Sequence, residues 1–253
     1  MGNYQSVNLT GTILMRFRTY THVALLILGV MAPSVHAEFL PWNIPVNSSF
    51  RVGYLYGSQV VSTFSDYGSG LVKSAVEVIR ANKDLDLVIQ EAHRKWDPAR
   101  AQKTTAKVLA KFGNQVDAFI CNNDRLATGV IAALKERGLD HIDRVFVAGA
   151  DAALVNIRYI VKGKQTVDVW KMIDPLAETA AEVAVKLARN PGKKITEIIK
   201  PDKMVNNGTM EIPTIVTPVK LVTRDNINET LIKGGVYTTN QIYGAEPISE
   251  NLR

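Results

Sequence analysis

Cysteine is almost absent: Cys121 stands alone among 253 residues, so no internal disulfide can hold the fold and a packed core must do so. It ends the apolar run VDAFIC (116–121), a place for a small buried packing residue rather than a nucleophile, since no histidine stands in a recognisable partner context. Histidine is scarce too, and His22, His36, His93 and His141 show no metal-ligand spacing. The chain has no GxSxG, HExxH, CxxC or GxGxxG, which leaves out the nucleophile elbow, the zincin helix, the dithiol pair and the dinucleotide fingerprint. GSGLVKS (68–74) lacks the adjacent Gly-Lys of a phosphate loop and reads as a helix start. No metal and no cofactor is expected. Single-sign charge blocks are missing as well: 30 Lys and Arg interleave with 24 Asp and Glu for a net +6, which gives little support to nucleic-acid binding.

What is present is ordinary globular usage, 46% hydrophobic and 21% charged, enough for one or two domains. The longest apolar stretch, VALLILGVM from Val23, falls short of the roughly 20 residues that span a bilayer. It follows the basic MRFRTYTH from Met15 and precedes APSVHA, with Val35 and Ala37 at minus three and minus one. This is the layout of a secretory signal peptide, residues 15–37, with 1–14 as an upstream extension and a periplasmic destination. Residues 38–49 (EFLPWNIPVNSS) read as a linker, 50–235 as a folded lobe and 236–253 as a polar tail. Sequons at Asn47, Asn207 and Asn228 matter only in a glycosylating host.

The lobe alternates between strand and helix. RVGYLYG (51–57), LDLVIQE (85–91), VDAFIC, RVFVAGA (144–150) and QTVDVWK (165–171) read as buried strands. Helical patterns follow them from Tyr67 to about Asn82, from Asp97, from Asp124 to Gly138, from Asp151 to Gly163 and from Asp174 to Asn190. Asp97, Asp124 and Asp151 stand where N-caps belong, and Asp-Pro opens the second and last helices. Such alternation predicts an open, mostly parallel α/β sheet with helices on both faces.

Ligands of such sheets bind beyond the carboxyl ends of the strands. Trp96, Asn123, Asp124, Asp151 and Lys171 all fall there. Asparagine donates and accepts, aspartate accepts two hydroxyl protons and lysine donates, which matches adjacent sugar hydroxyls. An indole can cover the C–H face of a pyranose. The set suits binding rather than reaction. Each residue also has a plain structural role open to it: cap for Asp124 and Asp151, turn for Asn123, solvated strand end for Lys171, surface packing for Trp96.

CNNDRLATGVIAALKERGL, VFVAGADAALVNIRYIVKGKQTVDVWKMIDPLAETAAEVAVKL and VNNGTMEIPTIVTPVKLVTRDNINETLIKGG resemble, in order, the carboxyl-terminal lobe of periplasmic sugar-binding proteins of ABC importers, most of all the xylose-binding type. The likeness runs from about Phe50 to Gly235. It implies ligand contacts at Trp96 over the sugar ring and at Asn123, Asp151 and Lys171 on its hydroxyls. Thr63 and Asp124 are weaker candidates. Ser62 and Thr63 stand where the family has an asparagine pair, which alters the expected ligand preference. The family has two lobes that close on the ligand. Here the amino-terminal lobe is expected to be missing, a half-cleft is expected to bind more weakly than a closed one, and Ile215, Val216, Val219, Leu221 and Val222 are expected to lack their cover.

The resemblance implies the substrate-binding component of a sugar importer, with a monosaccharide ligand, an inner-membrane permease as partner and no enzymatic activity. The alternatives are a sugar-sensing protein that forms a homodimer or docks on a membrane sensor, and a sugar-modifying enzyme with Asp124 and Asp151 as paired carboxylates. The effector lobe of a LacI-type regulator would need a helix-turn-helix where the leader stands.

Overall fold

The computed structural model describes residues 50–58, 79–81, 85–206 and 210–244. The leader, the linker, Ser62 and Thr63 lie outside the described residues. Eight strands are described: β1 (Phe50–Ser58), β2 (Leu85–Arg94), β3 (Ala118–Cys121), β4 (Phe146–Ala150), β5 (Val167–Lys171), β6 (Lys203–Asn206), β7 (Glu211–Thr214) and β8 (Val219–Val222). The helices are α1 (Pro98–Lys111), α2 (Asp124–Lys135), α3 (Leu154–Val161), α4 (Ile173–Ala188), α5 (Ile195–Ile198) and α6 (Thr239–Tyr243), with a π-turn at Asn228–Ile232. Six strands form one sheet in the order β2-β1-β3-β4-β5-β8. The first five are parallel, and β8 returns antiparallel against β5. The order reverses at β1, so the crevice between the ends of β1 and β3 is the switch point where ligands of open sheets bind.

Strand side chains alternate between faces, and the core divides accordingly. Leu55, Phe119, Cys121 and Val147 pack with Ala101, Leu109, Leu126 and Leu134 of α1 and α2. Val52, Ala118, Ile120, Ala148, Val167 and Val169 point the other way, where Ile79 covers them. A third cluster joins Ile157 and Ile160 to Val222, Ile227, Leu231 and Ile242. Fully burying such a side chain contributes about 1.5–3 kcal/mol, so these clusters, rather than cross-links, hold the lobe. Cys121 is a free, buried thiol within one of them, as its place in the sequence suggests.

The helix starts differ from the sequence reading at three points. Asp97 does cap α1, accepting from the Ala99 amide at 2.9 Å ahead of Pro98 in the first turn. At α2 the cap is Asn123 instead, its Oδ1 accepting from the Leu126 amide at 3.1 Å, while Asp124 is the first helical residue. Helix α3 begins at Leu154 without a side-chain cap, three residues beyond Asp151. Helix α4 begins at Ile173, which places Asp174 inside the first turn.

Helix α4, α5 and the β6–β7 hairpin leave the sheet after β5 and return at β8. No residue of α4 is buried, and Ile173 is 64% exposed. Leu176, Val185, Ile195, Met204, Val205 and Val216 are exposed with it. The uncovered apolar surface is thus mostly not where the sequence placed it. Val222 is fully buried and Val219 and Leu221 pack on the core, because β8 closes against β5; of the expected set only Val216 is exposed. Residues 239–243, within the stretch read as tail, form a helix with a Thr238–Gln241 capping box and a buried Ile242.

Candidate functional site

The carboxyl ends of β2, β3, β4 and β5 carry Trp96, Asn123, Asp151 and Lys171 on one rim, because parallel strands point all their ends the same way. Along this rim the residues meet in two groups. Asp151 Oδ1 lies 2.5 Å from Lys171 Nζ, both half-exposed. Their strands are neighbours, with Ala150 opposite Val169, so each residue lies just past a shared register point. At the other end, Arg125 donates from Nε to the Trp96 carbonyl at 3.4 Å, which ties the β2–α1 turn to the start of α2 beside Asn123. Lys95 and Trp96 both take positive φ, 61° and 50°. That backbone bend turns Trp96 back onto the α1–α2 core, where it packs half-buried. No hydrogen bond or ion pair joins the two groups among the described residues; β3 and β5 lie two strand spacings apart, about 10 Å.

Asn123 uses Oδ1 for the cap, which leaves its Nδ2 to donate to a ligand. A cleft of 460 Å³ at the β2–α1 turn is lined by Arg94, Lys95, Asp97, Arg100 and Arg125, and by none of Trp96, Asn123, Asp151 and Lys171. Arg100 lies 3.6 Å from Asp97. The rim is therefore cationic near Trp96 and holds an ion pair at its other end. Among the described residues no group of three or more His, Cys, Asp or Glu could hold a metal ion.

Asp124 does not face the rim. It is 2% exposed, and its Oδ2 accepts from the Ala153 amide at 2.6 Å. Beside it lies Asp168 of β5, fully buried, accepting from the Ala152 amide at 2.9 Å and from Gln165 Nε2 at 2.9 Å. Burial, and then the facing Asp168, pushes the Asp124 carboxyl well above the usual carboxylate range, and burial raises Asp168 as well. Two carboxyl groups so close in a buried site do not both ionise. The enzyme alternative loses its pair here: Asp124 is turned inward and Asp151 is paired with Lys171.

The sequence reading passed over Asp168. Its signal was available: an acid between Val167 and Val169 in the middle of a buried parallel strand. His93 is buried too, and burial lowers its pKa.

The family description "Periplasmic binding protein domain" matches residues 46–194. The chain belongs to that family. It is 34% identical over 199 residues to the D-xylose-binding periplasmic protein of Haemophilus influenzae, covering 79% of this chain and 56% of that protein. It is 32% identical over 209 residues to the D-xylose-binding periplasmic protein of Escherichia coli, covering 82% of this chain and 59% of that one. The chain thus spans less than two thirds of the length of these relatives. Among solved structures, an ABC transporter solute-binding protein from Clostridium phytofermentans with bound β-D-glucose matches with a TM-score of 0.62 at 20% identity, over 78% of this chain and 61% of that one. At that identity the match bears on the fold: a mostly parallel sheet with helices on both sides.

Proposed function

We propose that this periplasmic binding protein domain binds a xylose-like monosaccharide, without chemistry, as the solute-binding component of an ABC importer. The observation that carries the reading is the Asp151–Lys171 pair at the ends of adjacent strands. An acceptor and a donor 2.5 Å apart can open to take two neighbouring hydroxyl groups, each bond to a charged group contributing about 1.5–3 kcal/mol. Asn123 Nδ2 adds a donor, and the Trp96 indole offers an apolar face for a sugar ring. Thr63 stands as a weaker ligand candidate. The relatives' names supply the sugar class and the periplasmic setting; the leader-like residues 15–37 would bring the chain there, and a permease in the inner membrane would be its partner. No observation favours the sensor-docking alternative.

Calorimetric titration of residues 38–253 with D-xylose and a panel of pentoses and hexoses tests this. Saturable binding, strongest for a pentose, is the expected result. A folded protein that gives no heat with any sugar would overturn the reading.

A further inference from the structure

The turn that carries Asp151 is strained and has a dedicated support. Asp151 and Ala152 take φ values of 110° and 55°, a region that non-glycine residues hold only when the surrounding structure enforces it. Two buried carboxyl groups grip the turn from below, Asp168 through the Ala152 amide and Asp124 through the Ala153 amide. Tyr237 holds its other side, donating to the Ala152 carbonyl at 2.9 Å.

Below the turn, donors and acceptors are accounted for in sequence. Thr128 donates to Asn156 Oδ1, Asn156 Nδ2 donates to Gln165 Oε1 at 2.8 Å, and Gln165 Nε2 donates to Asp168. Each amide is thereby fixed in orientation, and both Asp168 oxygens receive a donor. The oxygen left over is Asp124 Oδ1, buried and without a donor, and it converges with Asp168 Oδ2 on the space beside Gly149. Gly149 permits this approach: a Cβ there would run into Asp124 Oδ1 and lie 3.0 Å from Asp168 Oδ2.

We propose that a single proton, carried on Asp124 Oδ1 and donated to Asp168, latches the 151–153 turn and so aims Asp151 at the sugar. Asp124 and Asp168 are positioning residues. Only the last step rests on the sugar-binding reading. The direction of both carboxyl pKa values agrees with a retained proton. The other titratable groups facing the pair among the described residues are Asp151, Tyr237 and the buried Cys121 thiol at the end of β3. Lys171 meets it through Asp151, Arg125 of α2 turns to the Trp96 carbonyl, and Arg158 of α3 turns to the Gln241 carbonyl.

An asparagine at 124 can accept from Ala153 and donate to Asp168 without any proton to lose. An asparagine at 168 brings its Nδ2 against the Ala152 amide or against Gln165 Nε2, whose partner oxygen is already engaged. The two conservative changes therefore differ in outcome. D124N is expected to keep D-xylose affinity within about threefold, whereas D124A and D168N lose about tenfold or more, a change of 1.4 kcal/mol or more, with near-UV circular dichroism showing that each is folded. Equal losses in D124N and D124A, or no loss in D168N, would overturn the latch.

A sugar-free measurement separates the latch from the binding reading. Carboxyl ¹³C shifts at pH 7 should show one protonated aspartate in the pair. The Ala152 and Ala153 amide signals should titrate with that same group in the wild type and not in D124N. Two ionised carboxylates at pH 7 would overturn the proposal even if sugar binds. A protonated pair in a chain that binds no sugar would keep the latch and overturn the sugar reading. If D124A or D168N does not fold, the carboxyl and amide signals of wild type and D124N decide alone.

Discussion

Replacing Gly149 by alanine should be among the most damaging single methyl additions in the chain. The new Cβ would collide with Asp124 Oδ1 and sit 2.6 Å from Gln165 Nε2 and 3.0 Å from Asp168 Oδ2, where unstrained contacts need about 3.5 Å. None of the three can swing away freely, because each is hydrogen-bonded and buried. Overpacking of this kind costs about 1–3 kcal/mol. If Asp124 retreats, its bond to the Ala153 amide is lost as well, worth about 1.5–3 kcal/mol for a charged or proton-sharing partner. Together these come to about 4 kcal/mol. With a urea slope of about 2 kcal/mol/M, the midpoint of unfolding should fall by about 2 M. Gly138→Ala is the comparison: its φ is 65° but nothing lies within 4 Å of the added methyl, so only the backbone penalty of about 1–2 kcal/mol applies. Equilibrium urea unfolding followed by circular dichroism measures both. If Gly149→Ala costs no more than Gly138→Ala, the crowding argument for the carboxyl pair is wrong.

Asp151→Ala should abolish sugar binding by calorimetry at little cost in stability, since the residue is half-exposed and pairs with Lys171 alone; retained affinity would remove it from the site. Trp96→Ala should weaken binding by about 1–2 kcal/mol if the ring stacks on a sugar, and an unchanged affinity would leave it a packing residue. Cys121→Ser should do the reverse, lowering stability by about 1–3 kcal/mol by placing a hydroxyl in an apolar cluster, with binding unaltered. The folded-state pKa of His93 is lowered by burial, so the unfolded chain binds the proton first and stability should fall as pH drops below about 6.5. His93→Gln should flatten that acid loss; an unchanged slope in urea unfolding between pH 7 and 5 would show another group responsible. The raised carboxyl pair acts with the opposite sign, its contribution fading as pH rises through its folded-state pKa.

The alternation of apolar runs with helical patterns made the parallel sheet legible, because buried parallel strands cannot hide: Ala118–Cys121 and Phe146–Ala150 are apolar or glycine throughout. The same pattern could not resolve the joins. Asn123 and Asp124 both suit a cap, and only the packing of α2 against the 151–153 turn decides that Asn123 caps while Asp124 goes inward. Asp168 stands out in the sequence as an acid within an apolar strand, but its role does not, for a related reason. A buried acid is tolerable only with partners, and those partners are one backbone amide, Ala152, and the Gln165 side chain, both contributed by the fold. The antiparallel return of β8 escaped too, since the pairing of Asp168 with Val222 joins residues far apart in the chain.

That return has a topological consequence. Lys171 and Val219 are register partners on adjacent antiparallel strands, so everything between them departs from the sheet and comes back to nearly the same point. Two such strand ends can be joined by a two-residue turn, which makes residues 172–218 a detachable detour for engineering: the described core clusters draw little from them, and a shortened chain would keep its sheet. The detour also begins at the residue after Lys171. Anything that bears on its apolar side therefore acts one residue away from the Asp151–Lys171 ion pair, at the rim of the sheet rather than through the core clusters.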